Sequence, residues 1–185
     1  MSRRTICATL ALITVFLGRV RVEAATVEPM TLDDMARRSD FILIGRCLEV
    51  RADWNASHTR IYTYATFAVE RFLKGGAGLR EVTLRVLGGQ VGALAAIVPG
   101  SPSFARGEEV LLFCVGGAAR MPTVLGLSLG KFTLARNGNG ERILKRDISG
   151  LTLADYRTDS RVVGSPPVSF RLAEVETRIA GALSK

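Results

Sequence analysis

The chain has 185 residues, 25 of them Lys or Arg and 17 Asp or Glu, giving a formal net charge of +8 and an isoelectric point of about 10.1. The length suits one ordinary domain, and 48% apolar residues exclude an intrinsically disordered chain. A balance this basic points to nucleic acid unless the charges lie where nucleic acid is absent.

The first segment bears on that condition. Arg3 and Arg4 precede an apolar run from Ile6 to Leu17, interrupted only by Thr9 and Thr14. The run is shorter than the roughly 20 residues a bilayer span needs, and it suits the core of a secretory signal. Val22-Glu23-Ala24 places small residues at the −3 and −1 positions, so cleavage is expected between Ala24 and Ala25. No cysteine follows the run to carry a lipid. The expected product is an exported protein, periplasmic or extracellular, without a stable membrane anchor. Removing Arg3, Arg4, Arg19, Arg21 and Glu23 leaves 21 basic and 16 acidic residues, a net of +5. Those charges are interspersed, and nucleic acid is not expected as a partner.

Thr31 is placed to cap a short helix that begins at Leu32, has Asp33 and Asp34 in its first turn and stops near Ser39-Asp40. Residues 41–50 read as a strand, with Ile42, Ile44, Leu48 and Val50 on one face and Leu43, Gly45 and Cys47 on the other. The polar stretch 51–59 reads as a loop. Residues 60–72, rich in β-branched and aromatic side chains, form a long strand closed by Lys74-Gly75-Gly76-Ala77-Gly78. Residues 81–87 alternate cleanly as a third strand. The glycine-rich stretch 88–107 reads as a long ordered loop with a short strand or turn in its apolar centre, 93–98. Residues 109–115 form a buried strand. Residues 124–136 and 141–145 form a hairpin about Asn137-Gly138-Asn139-Gly140. Residues 155–168, ending in Pro166-Pro167, read as a linker. Residues 170–183 carry Leu172, Val175, Ile179 and Leu183 at helical spacing, with Ser169 as cap. The expected organisation is a signal over 1–24, a β-barrel domain over 25–154, the linker, and a closing helix over 169–185. Strands that do not alternate with helices exclude a doubly wound sheet. A mainly β fold of five or six antiparallel strands, closed or partly open as a small barrel, fits best.

Gly126-Leu127-Ser128-Leu129-Gly130 matches a hydrolase nucleophile pattern, but that pattern needs a strand-to-helix elbow and a later histidine. Here Lys131-Phe132-Thr133-Leu134 continues a strand and the single histidine, His58, precedes the serine. The glycines read as a bend in a strand. One histidine and two distant cysteines give no metal-ligand spacing, so neither a metal nor another cofactor is expected. Cys47 and Cys114 remain after cleavage, an even pair in an oxidising compartment; they are a candidate disulfide or else two buried thiols. Asn55-Ala56-Ser57 is a glycosylation sequon. Without a catalytic constellation, binding residues are what remain: Trp54 and His58 in the loop 51–59, and Phe104 and Arg106 in the glycine-rich stretch.

Three stretches share a pattern. They are Ser39-Asp40-Phe41-Ile42-Leu43-Ile44-Gly45-Arg46, then Phe67-Ala68-Val69-Glu70-Arg71-Phe72-Leu73-Lys74-Gly75, then Phe104-Ala105-Arg106-Gly107-Glu108-Glu109-Val110-Leu111-Leu112-Phe113 followed by Gly126 to Phe132. Over about residues 31–135 the chain resembles bacterial exported proteins of the netrin-like, tissue-inhibitor-of-metalloproteinase-like type, which are found beside matrixin-like metalloproteases. The resemblance implies an OB-fold barrel and a protease partner. Animal inhibitors of this type chelate the protease zinc through an N-terminal cysteine. The expected mature start here is Ala25-Thr26, so that mechanism does not carry over. The function expected is that of an exported, non-catalytic protein-binding module, a partner or inhibitor of an extracellular metalloprotease. The alternative is a small-ligand or polysaccharide-binding β-barrel of the cell envelope, with Trp54 beside Tyr62 and Tyr64 as a stacking platform.

Overall fold

The computed structural model describes residues 25–76, 78–118, 121–155, 160–163 and 168–184. The expected signal, residues 1–24, lies outside the described residues, as do 156–159 and 164–167 of the expected linker. In chain order the elements are β1 (Ala25–Val27), α1 (Leu32–Arg38), β2 (Phe41–Trp54), β3 (Ile61–Lys74), β4 (Glu81–Leu87), β5 (Gly89–Val91), β6 (Leu94–Ala96), β7 (Glu109–Val115), β8 (Thr123–Val124), a 3-10 helix (Leu127–Gly130), β9 (Lys131–Arg136), β10 (Arg142–Arg146), β11 (Leu151–Asp155), β12 (Ser160–Val163), β13 (Val168–Arg171) and α2 (Leu172–Leu183).

Helix α1 forms as its sequence dictates. The Thr31 hydroxyl accepts from the Asp34 N–H at 3.1 Å, and the Asp34 carboxylate accepts from the Thr31 N–H in return, a complete capping box. At the other end the Lys74 ammonium donates to the carbonyls of Ala36, Arg37 and Ser39 at 2.6–3.0 Å. A cation placed there satisfies acceptors that the helix leaves open and opposes its dipole.

The main sheet runs β13-β10-β9-β7-β2-β3-β4, with every neighbour antiparallel and β8 paired to β7. A second sheet, β1-β11-β12, has β1 parallel and β12 antiparallel to β11. The protein is thus mainly β, with a helix near each end of the described chain. The main sheet is not closed into a barrel: the outer edge of β10 is taken by β13, and β4 forms the opposite edge. One backbone hydrogen bond, Arg85 N–H to Pro122 C=O at 2.8 Å, reaches from β4 toward β8.

Alternation along the strands loads both faces of the sheet. Ile42, Ile44, Leu111, Phe113, Phe132, Leu134 and Leu144 face α1, α2 and β11 in one core. Phe41, Leu43, Cys47, Ala65, Phe67, Leu84, Val110, Leu112 and Cys114 form the other, on the face where the sheet curls over itself. Helix α2 belongs to the first core through Leu172, Val175, Ile179 and Ala182. Gly45 sits at an irregularity in the β2–β3 ladder, where an added Cβ would meet the Ala68 carbonyl oxygen at 2.5 Å.

Several boundaries differ from the sequence reading. β2 continues to Trp54, because Val50, Ala52 and Trp54 keep one face while Glu49, Arg51 and Asp53 keep the solvated one. The expected strand 124–136 is divided into β8, the 3-10 helix and β9, with Gly126 at φ +64° and Leu127 at φ +59° turning the chain. Within 155–168, Ser160–Val163 pairs with β11. Ser169 is not the cap of α2: it lies in β13, opposite Lys145, and Arg171 occupies the cap position.

Candidate binding surface

The turn between β2 and β3 is built by Asn55. Its side-chain oxygen accepts from the Thr59 and Arg60 N–H groups at 2.7 and 3.0 Å, and its amide donates to the Ser57 and Thr59 hydroxyls. His58 occupies the turn at φ +50°, exposed, with its ring 6.1 Å from that of Trp54. Trp54 is half-buried at the end of β2, opposite Ile61.

The glycine-rich stretch folds over this end of the sheet. β5 and β6 form a small hairpin. It is pinned by Gly88 N–H to Ile61 C=O at 3.0 Å, by the Thr63 hydroxyl to Gly88 C=O at 2.8 Å and by the Ser101 hydroxyl to Leu87 C=O at 2.7 Å. Gly89 is required where it stands: at φ +137° an added Cβ would lie 2.5 Å from Thr63 Oγ1. Between hairpin and sheet lies a groove of about 370 Å³ lined by Trp54, Arg60, Ile61, Leu87, Leu94 and Val98, among others. A second recess of about 260 Å³ shares Leu87, Gly88, Ala96 and Val98 with the groove and reaches Phe104. Two of the expected binding residues, Trp54 and Phe104, therefore line adjoining recesses, and His58 lines neither.

Arg106 is exposed on the loop beyond Phe104 and lines neither recess. Phe104 is partly committed to the core, edge-on to Phe67 at 5.2 Å between centroids and beneath the Lys131 ammonium at 4.9 Å. The residues that sequence reasoning did not single out are Leu94 and Ile97, 61% and 85% exposed on the hairpin. Their signal was present: an apolar centre inside a stretch bounded by glycine and proline.

One expectation about this region is corrected, and one open alternative is decided. Tyr62 and Tyr64 do not join Trp54 in a platform. They pair with Asp53 and Arg51, so the pleat directs them to the opposite face from Trp54, where Arg85 covers Tyr62 and Arg51 covers Tyr64 at 4.9 and 4.6 Å. Of the two readings left open for Cys47 and Cys114, the structure has the two buried free thiols. The register places Phe41 opposite Cys114, and Cys47 lies six positions further along β2, a separation of roughly 20 Å against the 7 Å limit of a disulfide. Burial pushes both thiols up from their ordinary pKa, and the nearby Glu108 carboxylate adds to the effect at Cys47.

Ser128 of the G-x-S-x-G pattern lies on the 3-10 helix, before a strand. Lys131 is close in sequence, but its ammonium is committed to the Glu108 carboxylate at 2.7 Å and to the Ser103 carbonyl. His58 is at the far hairpin turn. Among the described residues no group of three or more His, Cys, Asp or Glu is placed to hold a metal ion, and no helix is long and apolar enough to cross a membrane.

Comparison with family models, with curated proteins and with solved structures finds no match to this chain.

Proposed function

We propose that the protein is an exported, non-catalytic protein-binding module whose contact surface is the β5–β6 hairpin and the groove behind it. The observation that carries this reading is the exposure of Ile97 and Leu94 beside the apolar groove walls. Scattered surface leucines are ordinary, but large side chains this exposed and contiguous with a groove suit a partner's apolar contact. Arg60 at the groove and Arg106 beyond it have no acidic partner among the described residues, so an apolar segment flanked by Asp or Glu complements the surface. The resemblance of the β2, β3 and β7 stretches to the inhibitor-like family nominates an extracellular metalloprotease as that partner. In the same reading the curled part of the sheet, β2-β3-β4 with β7 and β8, is an opened OB-like barrel. The Arg85–Pro122 hydrogen bond supports it.

The test is co-elution of the chain from Ala25 onward with a matrixin-like protease from the same organism, together with the protease rate. A complex that is lost in Ile97→Asp and Leu94→Asp variants of unchanged stability is the expected result. No co-elution and no change in rate would remove the reading.

A further inference from the structure

The β5–β6 hairpin has an edge that no other described strand covers. β6 pairs with β5 alone, in the register Gly89↔Ala96, Gln90↔Ala95 and Val91↔Leu94. Opposed residues of an antiparallel pair alternate between those that exchange hydrogen bonds and those that do not. With the bonded pair at Val91 and Leu94 closing the two-residue turn, Gln90 and Ala95 are a non-bonded pair, so Ala95 directs its N–H and C=O away from β5. Apart from the bonds to β5, no backbone hydrogen bond reaches residues 94–97 among the described residues. Leu94, Ala95 and Ile97 are exposed, so the edge is open.

The edge is also unguarded. Open edges are templates for another strand, and proteins blunt them with lysine, proline or a bulge. β6 reads Leu-Ala-Ala in a regular register, and no charged residue occurs anywhere between Arg85 and Arg106. β4 shows the contrast: it carries Glu81 and Arg85, and Pro122 accepts the Arg85 N–H. The inner face of the hairpin is defined by Gly89, where an added Cβ would meet Thr63, Ala52 and Ile61 of the main sheet. Its cross-strand partner Ala96 shares that face with Leu94, and both line the groove together with Trp54 and Arg60. Arg60 is exposed there, and its guanidinium has no partner among the described residues.

We propose that the partner is engaged as an extended segment that adds to β6 as a third strand of the hairpin sheet. This rests on the reading of the hairpin as the contact surface and specifies what occupies it. The Ala95 N–H donates to a carbonyl of the segment, and the Ala95 carbonyl accepts from one of its N–H groups. The added strand repeats the pleat of β6, so every second side chain is directed to the groove and is apolar. An Asp or Glu at one end of the segment pairs with Arg60. Main-chain bonds supply the affinity in this mode, and alternate side chains supply the specificity. A second copy of the chain is the poorer occupant, because its own hairpin has no carboxylate to offer Arg60.

The probe is a synthetic peptide, capped at both ends, with one aspartate followed by alternating valine and threonine over six residues. It is titrated into the isotope-labelled chain from Ala25 onward and followed by amide NMR. The expected result is saturable shifts centred on residues 88–97 and on Arg60, with the Ala95 amide protected from exchange. Binding should weaken at least fivefold in Ala95→Pro, in Arg60→Gln and when lysine replaces the aspartate. It should also weaken when one alternate set of peptide amides is N-methylated, and not when the other set is. Proline is tolerated on a strand edge where its N–H has no ladder partner, and N-methylation reports the same bonds without altering the protein. No saturable shift, or binding indifferent to Ala95→Pro and to both sets of N-methyl groups, would overturn the proposal. Self-association seen by sedimentation and abolished in Ala95→Pro would overturn it in favour of a second copy. A protease complex that needs Leu94 and Ile97 but tolerates Ala95→Pro would overturn strand addition and leave the contact surface standing. Edge-dependent peptide binding without a protease complex would uphold strand addition and remove the protease.

Discussion

Lys131 Nζ lies 2.7 Å from the Glu108 carboxylate, with the two side chains only 13% and 16% exposed, the most enclosed ion pair among the described residues. Glu108 also accepts from the Thr133 hydroxyl at 2.8 Å and from the Ala105 N–H at 3.1 Å. The pair ties the loop before β7 to β9. Removing one partner leaves a nearly buried charge unmatched. Lys131→Met is expected to destabilise the fold by about 2–3 kcal/mol, at or below the lower end for a fully buried pair. The double variant Lys131→Met/Glu108→Gln should lose less than the sum of the single losses. Chemical denaturation of the four proteins measures both.

Lys74 clamps the end of α1 through three carbonyls. Lys74→Met retains much of the aliphatic stem and removes those bonds, so a loss of about 1–2 kcal/mol is expected. Hydrogen exchange should quicken at the amides of α1 and of residues 39–41 before it does so in β7. Unaltered exchange in α1 would show that the clamp carries no stability.

The capping box has a pH signature. The Thr31 hydroxyl and N–H, with the Arg37 guanidinium, hold the Asp34 carboxyl down at about 2, from an ordinary 3.8. A carboxyl depressed in the folded state stabilises it fully above the unfolded pKa, and that stabilisation disappears as pH falls through the folded value. The difference in unfolding midpoint between the wild type and Asp34→Asn should therefore be constant above pH 5 and narrow between pH 4 and 2. A difference that stayed constant to pH 2 would contradict the pairing.

Both cysteines of the chain from Ala25 onward should titrate as free thiols in denaturant without reductant. In the folded protein they should react slowly, because burial disfavours the thiolate that is the reactive form. Cys114, with nothing but burial acting on it, should be the slower of the two. An absence of thiols in denaturant would mean that the β2–β7 register is wrong.

Elements with a strong local cause were legible in the sequence. The capping pattern at Thr31, the alternation at Val82-Leu84-Val86, the unbroken apolar run in β7 and the Asn-Gly turn each dictated what formed. The far half of β2 was hidden because its outward residues are charged and its inward ones include a small alanine, so composition resembled a loop. β1, β11, β12 and β13 are three to five residues long and depend on partners distant in sequence, which no local pattern reports. Trp54 and Phe104 were found as isolated aromatics, but their adjacency is a product of the hairpin between them. The resemblance stretches turn out to be scaffold: Lys74 clamps a helix, Gly45 admits the Ala68 carbonyl, and Glu108 anchors a loop.

The pins on the β5–β6 hairpin have a thermodynamic consequence. Two of them reach from Gly88 to β3, and Ser101 closes the base of the loop back onto Leu87. Most of the ordering entropy of this excursion is thus lost when the protein folds, before any encounter with a partner. Association would then immobilise little more than the side chains of Leu94 and Ile97, at about 0.5–1.5 kcal/mol each. The surface is preorganised, so changes at its apolar tip should be felt mainly in how long a complex lasts and only weakly in how fast it forms.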